Sequence, residues 1–222
     1  PRKSKLKETL AENWRMILNL VGIVLLLNVA DYMLLTYMPS YFDSVLHINP
    51  TTSGLIVVGV EILMMCAILP LGALSDRIGR KPLLLTASLG FIVLSFPAFK
   101  LMQAGHVVTL VIGFAIVTAL LLCMLAVIGS TFPAMFPTRV RYTSFAVGYN
   151  TSTLLFGGTA GYLVDWLIGL TGNNDVPAYY LVGAAAIALV PILMIPETAG
   201  VRMSDIEATN TGGRLTLSSQ AN

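Results

Sequence analysis

Residues 107–132 read VVTLVIGFAIVTALLLCMLAVIGSTF, without a charged side chain or a proline. A helix needs about 20 mostly apolar residues to cross a hydrocarbon core of roughly 30 Å, and this run has them. Inside a bilayer the chain itself must satisfy every backbone amide, which leaves helices or closed barrels. Barrel strands are short and alternate apolar with polar residues. No such period runs through this stretch, so it reads as a helix.

Five more apolar runs, uncharged or nearly so, surround it, at 16–38, 52–74, 83–102, 144–167 and 178–195. The expected fold is an all-α membrane protein with six transmembrane helices. Helix ends or kinks are expected near Pro133, Pro137 and Pro191, because proline removes a backbone donor. Composition agrees: of 222 residues 56% are hydrophobic and 11% charged, against about 25% charged in an average soluble domain. Those values exclude a typical cytosolic enzyme and a disordered chain. Two cysteines exclude a disulfide scaffold. Residues 1–15 read as a basic linker, 16–196 as the six-helix membrane unit and 197–222 as a polar tail without heptads, expected to be disordered. The opening segment starts at Pro1 and has no apolar core before a small-residue cleavage site, so it reads as a cut end and not as a signal peptide.

Orientation follows from lysine and arginine, which are retained on the cytoplasmic side of short loops. With the first end inside, all thirteen of these residues except Lys100 fall on the cytoplasmic side. Both ends are therefore expected to be cytoplasmic, in a bacterial inner membrane. The basic start reads either as a retained linker or as a contact to anionic headgroups.

The segment from Gly72 to Pro82, GALSDRIGRKP, joins the second and third runs. A loop that only obeyed the charge rule would need Arg77, Arg80 and Lys81 but no carboxylate and no flanking glycines. Gly72 permits close helix contact and Gly79 a tight turn, while Asp76 can pair with Arg80 or meet the amino end of a helix. This segment resembles the cytoplasmic loop motif of the major facilitator superfamily, and the PETAG stretch 196–200 resembles the close of its last helix. The resemblance implies the carboxy-terminal half of a twelve-helix transporter, whose partner is an amino-terminal half. It also implies that Asp76 and its loop, with Arg139 and Arg141 after the fourth run, form a gate against that half. Simple topology signals are the other reading of Arg139 and Arg141.

Three further stretches, YMLLTYMPSY at 32–41, FPAMFPT at 132–138 with Arg141 and Tyr142, and PAYYL at 177–181, are similar to the metabolite:proton symporter family. That likeness implies proton-coupled uptake of a zwitterionic osmolyte of the proline or glycine betaine type. The absent coiled coil sets the tail apart from osmosensing members. Two alternatives stay open: a symporter for an organic acid such as 2-oxoglutarate, citrate or shikimate, and a membrane sensor or assembly subunit without transport.

Asp31 and Glu61 fall inside expected spans, where a carboxylate costs several kcal/mol. Glu61 has Val57, Val58, Met64 and Met65 as helical neighbours, and Asp31 lies in a stripe with Asn28, Tyr32 and Leu35. An apolar setting favours the protonated acid, which makes Glu61 the first candidate for proton coupling and Asp31 the second. A structural hydrogen bond or a place near the outer mouth is the other reading of Asp31. Protonated packing, or an arginine from the partner half, is the other reading of Glu61.

A 3.6-residue period in the fifth run puts Asn150, Gly157 and Gly161 on one face and Phe145, Tyr149, Ser152 and Phe156 on another. The glycines suit helix packing. Tyr149 and Phe156, with Tyr32 and Tyr37, are candidates to surround a quaternary ammonium by cation–π attraction, or else simply pack. Asn28 and Asn150 are polar candidates for the solute site. Of the lysines and arginines only Lys100, near the outer end of the third run, falls within a span, so deeper in the membrane this unit offers acids and rings to a cationic head and no fixed cation to a dicarboxylate. Cys66 and Cys123 read as packing residues, and His47 and His106 as solvent-facing. No hydrolase, metalloprotease or phosphate-loop motif is present. The expectation is no enzyme activity, no cofactor, no metal and no nucleic acid, with protons, a small solute and lipid as partners.

Overall fold

The computed structural model describes residues 14–134 and 141–195. All six expected helices are present: α1 (Trp14–Ser44), α2 (Pro50–Ile78), α3 (Arg80–Met102), α4 (Val107–Ala134), α5 (Tyr142–Thr171) and α6 (Val176–Met194). Each is long and apolar enough to cross a membrane. No strand occurs among the described residues.

Local chemistry sets the boundaries. Asn49 caps α2 by accepting a 2.9 Å hydrogen bond from the Thr51 amide, and Pro50 follows where its missing N–H is not needed. Gly79 has φ 111°, a conformation that side chains disfavour, and it separates α2 from α3 within one residue. α6 ends at Met194, three residues past Pro191, and Pro133 lies in the last described turn of α4, whereas Pro70 and Pro97 lie well inside α2 and α3; Pro137 is outside the described residues. Neighbouring helices and local adjustments compensate for the lost donor in membrane helices.

Two helices contain a wider turn that the sequence periodicity does not anticipate. α1 is α-helical over Trp14–Asp31, π-helical over Tyr32–Tyr37 and α-helical again over Met38–Ser44. It therefore runs six residues past the end expected at 38. Pro39 supplies a local cause, since it has no N–H for the Leu35 carbonyl and its ring would crowd that oxygen. The Met38 amide reaches back to Met33 O instead. α5 has its own π turn over Thr153–Gly157, where Thr153 Oγ1 bonds Tyr149 O at 3.0 Å and two glycines follow. Such turns recur at functional sites.

α3 packs most closely on α4 and α6, α1 on α5 and α6, and α2 on α4. Phe42 meets Phe114 edge to face at 5.5 Å, and Tyr41 meets Phe99 at 5.9 Å. Gly113 lies directly against the Ala98 carbonyl, and Gly90 against the Leu120 side chain. Small residues at such crossings let backbones approach where burial from water supplies no driving force. α2 and α5 are the least buried helices and carry most of the exposed large apolar side chains.

Candidate functional site

The seam between α1 and α5 is built from four matched contacts. Gly148 faces Leu20, Ser152 faces Asn28, Gly157 faces Tyr32 and Gly161 faces Tyr37. On α5 the step from Ser152 to Gly157 spans five residues, and on α1 so does the step from Tyr32 to Tyr37. Both longer steps fall in the π turns, so from the Asn28–Ser152 contact to the Tyr37–Gly161 contact both helices advance by the same nine residues and stay in register.

This register corrects the expected faces of α5. The π turn rotates everything after Ser152, so Tyr149 and Phe156 separate. Tyr149 lies within electrostatic range of Asp31 and Tyr32. Phe156 instead lines a groove of about 250 Å3 with Leu25, Val29, Tyr179 and Tyr180. Asn150 does not join Gly157 and Gly161 on the packed face; it is exposed and its Nδ2 donates to Ala146 O at 2.7 Å.

Asp31 and Glu61 do come together: the two carboxylates, from α1 and α2, lie within electrostatic range of each other. Both are half-buried. Glu61 lines an apolar groove of about 300 Å3 with Leu35, Met64, Met65, Ile68 and Leu122. The ion pairs among the described residues are Arg80–Asp76 and Lys100–Asp175, so neither Asp31 nor Glu61 has a cation within 4.0 Å there. Two acids with no fixed counterion and an oily wall can exchange a proton for a cationic group.

The remaining candidates hold this arrangement in place. Asn28 is buried; its Nδ2 donates to Ser152 Oγ at 3.4 Å and its Oδ1 accepts from Thr153 Oγ1 at 3.2 Å. Tyr37 is buried too, and its hydroxyl donates to Asp165 Oδ1 at 3.2 Å. Asp165 was visible in the sequence as an ionisable residue inside an apolar run, the same signal that marks Asp31 and Glu61.

At the α2–α3 end, Arg80 pairs with the exposed Asp76 at 3.5 Å, as its spacing allows. Lys81 turns toward its own bundle: Nζ donates to Leu193 O at 2.7 Å and Ile195 O at 2.8 Å, capping the end of α6. A Cβ on Gly72 would lie 3.9 Å from the Ala126 carbonyl of α4, an ordinary van der Waals distance, so the close contact expected there does not require glycine. Arg77 is exposed in the last turn of α2. Arg139 lies outside the described residues, as do the two ends and the PETAG stretch, and Arg141 is described only as helical backbone immediately before Tyr142 of α5.

At the opposite end a polar network not anticipated from sequence ties three elements together. Gln103 Nε2 donates to Tyr41 Oη at 3.1 Å and Asp175 Oδ1 at 3.0 Å, Tyr41 Oη donates to Asn174 O at 2.9 Å, and Lys100 meets Asp175 at 2.6 Å. Burial alone would raise the Asp175 carboxyl, but hydrogen bonds from Lys100 and Gln103 and the Lys100 charge outweigh it and hold the group below its ordinary value. His47 and His106 are exposed as expected, and both line one pocket near this network. Cys123 is half-buried, whereas Cys66 is exposed on α2 and does not pack inside the bundle. No cluster of three or more metal-ligating side chains occurs among the described residues.

Comparison with known proteins identifies the family. A family model described as "Sugar (and other) transporter" matches residues 2–209. The chain is 39% identical over 197 residues to a proline/betaine transporter of Escherichia coli K12, covering 89% of this chain and 39% of that protein. It is 36% identical over 193 residues to a glycine betaine/proline/ectoine/pipecolic acid transporter of Dickeya dadantii, covering 87% and 38%. It is 33% identical over 187 residues to an ectoine/proline transporter of Corynebacterium glutamicum, covering 84% and 37%. The chain thus spans less than two fifths of the length of these relatives. No solved structure matches.

Proposed function

The chain belongs to the sugar (and other) transporter family of the major facilitator superfamily, and from that premise we propose that it works as the carboxy-terminal six-helix half of a proton-coupled symporter for a small zwitterionic osmolyte. In this reading both ends face the cytoplasm of a bacterial cell, the membrane is the inner one, and residues 16–196 form the transporting unit beside an amino-terminal half. Superfamily sites form between such halves near the midplane.

The observation that carries the proposal is the Asp31–Glu61 pair, two carboxylates in mutual range without a cation within 4.0 Å among the described residues. Two like charges in an apolar setting repel, and a proton between them removes most of that cost. A solute carrying an ammonium offers the same relief. Tyr149 and Tyr32 stand beside Asp31, where their rings suit a quaternary or secondary ammonium. Proton and solute then stabilise different arrangements of the halves, and the downhill ion drives the uphill solute by differential binding to the two states. Asn28 and Tyr37 hold α1 against α5. Asp76, Arg77, Arg80, Lys81, Arg139 and Arg141 serve the cytoplasmic gate, with Lys81 tying that gate to α6.

Vesicles containing the intact transporter test this under an imposed inward proton gradient. The expected result is glycine betaine accumulation that a protonophore abolishes and that proline, but neither 2-oxoglutarate nor citrate, competes. Accumulation of an organic acid instead would replace the substrate class, and no flux of any of these solutes would leave a non-transporting role.

A further inference from the structure

His47 in the α1–α2 loop and His106 in the α3–α4 loop line one pocket of about 240 Å3, at the end of the bundle opposite Asp76. Leu46, Ile48 and Leu110 give this pocket apolar walls, and Gln103 joins the two imidazoles on its lining. The α1–α2 loop is pinned on both sides of His47: the Leu46 amide donates to Tyr41 O at 3.2 Å and the Ile48 amide to Phe42 O at 2.9 Å. His47 itself has φ 55°, a left-handed conformation that a residue with a Cβ adopts at a cost. The His106 backbone opens α4, its carbonyl accepting from the Leu110 amide at 3.0 Å and from Thr109 Oγ1 at 2.8 Å. Neither imidazole has a hydrogen-bond or ion-pair partner among the described residues. Chemistry orients Gln103: its Nε2 faces Asn174 O at 3.2 Å and Asp175 Oδ1 at 3.0 Å, which only accept, so Oε1 is the atom left without a partner there. Two imidazoles and an amide with an uncommitted oxygen therefore border one pocket between two hydrogen-bonded loops.

We propose that this pocket binds a divalent transition-metal cation of the zinc class, which joins the α1–α2 loop to the α3–α4 loop. Imidazole is a ligand that suits zinc, nickel and copper, whereas magnesium and calcium take oxygen ligands, chiefly carboxylates and carbonyls. Two histidines make an open site and not the closed four-ligand shell of a structural zinc, so water completes the coordination and the metal stays exchangeable. Gln103 links the pocket to the Tyr41–Asp175–Lys100 network, so bound metal stiffens that end of the bundle. The proposal is independent of which solute is carried.

Zinc titration of the intact transporter in nanodiscs, read against a chromophoric chelator, tests it, with magnesium as the second probe. The native protein is expected to bind zinc in preference to magnesium. His47→Asn, which keeps the left-handed backbone accessible, and His106→Ala should each weaken zinc roughly tenfold or more, since loss of even an outer hydrogen-bond partner of a ligand costs that much. The double variant should lose the site while melting, without metal, as the native protein does. X-ray absorption at the zinc edge of the native protein should show two imidazoles on the metal, a reading that does not depend on how the variants fold. No zinc binding by the native protein, undiminished binding by the folded double variant, magnesium bound as tightly as zinc, or fewer than two imidazoles on the metal would each overturn the proposal.

Discussion

A Cβ placed on Gly157 would lie 2.8 Å from Cε2 of Tyr32, so these two residues fix how closely the α5 π turn approaches α1 beside Asp31. Gly157→Ala must push that ring aside, an overpacking cost of about 1–3 kcal/mol. The expected outcome is impaired solute affinity with the protein still inserted, since the displaced ring neighbours the proposed site. Binding titration of the variant beside a melting curve checks it, and unchanged affinity would show that the Tyr32 ring takes no part.

Gly113 has even less room, its missing Cβ falling on the Ala98 backbone carbonyl, which cannot rotate away. Gly113→Ala is expected to lower the melting temperature in detergent clearly, by separating α3 from α4. Gly183→Ala, where nothing lies within 4 Å, should leave it unchanged. Equal effects of the two substitutions would contradict the packing assigned to α3 and α4.

Lys81 donates to two carbonyls at the end of α6, Leu193 O and Ile195 O, where helix carbonyls run out of amide partners among the helix's own residues. Lys81→Met is expected to destabilise the protein by about 1–2 kcal/mol, the worth of a charged hydrogen-bonding cap. Cysteine labelling at a Leu193→Cys reporter should become faster at the same time. A stable variant with unaltered labelling would return Lys81 to a topology signal only.

Asp175 is held below its ordinary carboxylate value in the folded protein. Its contribution is therefore full above the unfolded value, near pH 3.9, and is lost as pH falls through the folded value. Lys100 is largely exposed, so salt screens the pair and its share stays within about 1 kcal/mol. Melting curves toward acid pH should show a smaller loss for Asp175→Asn than for the native chain. Identical acid profiles would mean that the network does not bear on stability.

The six helices were legible in the sequence because lipid imposes length and charge rules that any apolar run reveals. The pairing of Asp76 with Arg80 was legible for the same local reason, four residues being one helical turn. What the sequence concealed follows from two π turns. Each inserts one residue into the helical period, and every face assigned beyond Ser152 on a 3.6-residue repeat is displaced, which is why Phe156 left Tyr149 and Asn150 left the glycines. Nor could spacing show that Lys81 would reach α6 or that Gln103 would join Tyr41 to Asp175, since those contacts join residues far apart in the chain. Asp165 needed no structure to be noticed, only the same question asked of every acid in a span.

The most direct test of the central claim is uphill accumulation compared with counterflow in vesicles carrying the Asp31→Asn/Glu61→Gln double variant of the intact transporter. Counterflow needs solute exchange but no net proton movement, whereas accumulation needs the proton. The expected result is counterflow that persists while gradient-driven accumulation disappears, with the single variants in between. A double variant that concentrates glycine betaine as steeply as the native protein across the pH range would show that the coupling proton is held elsewhere.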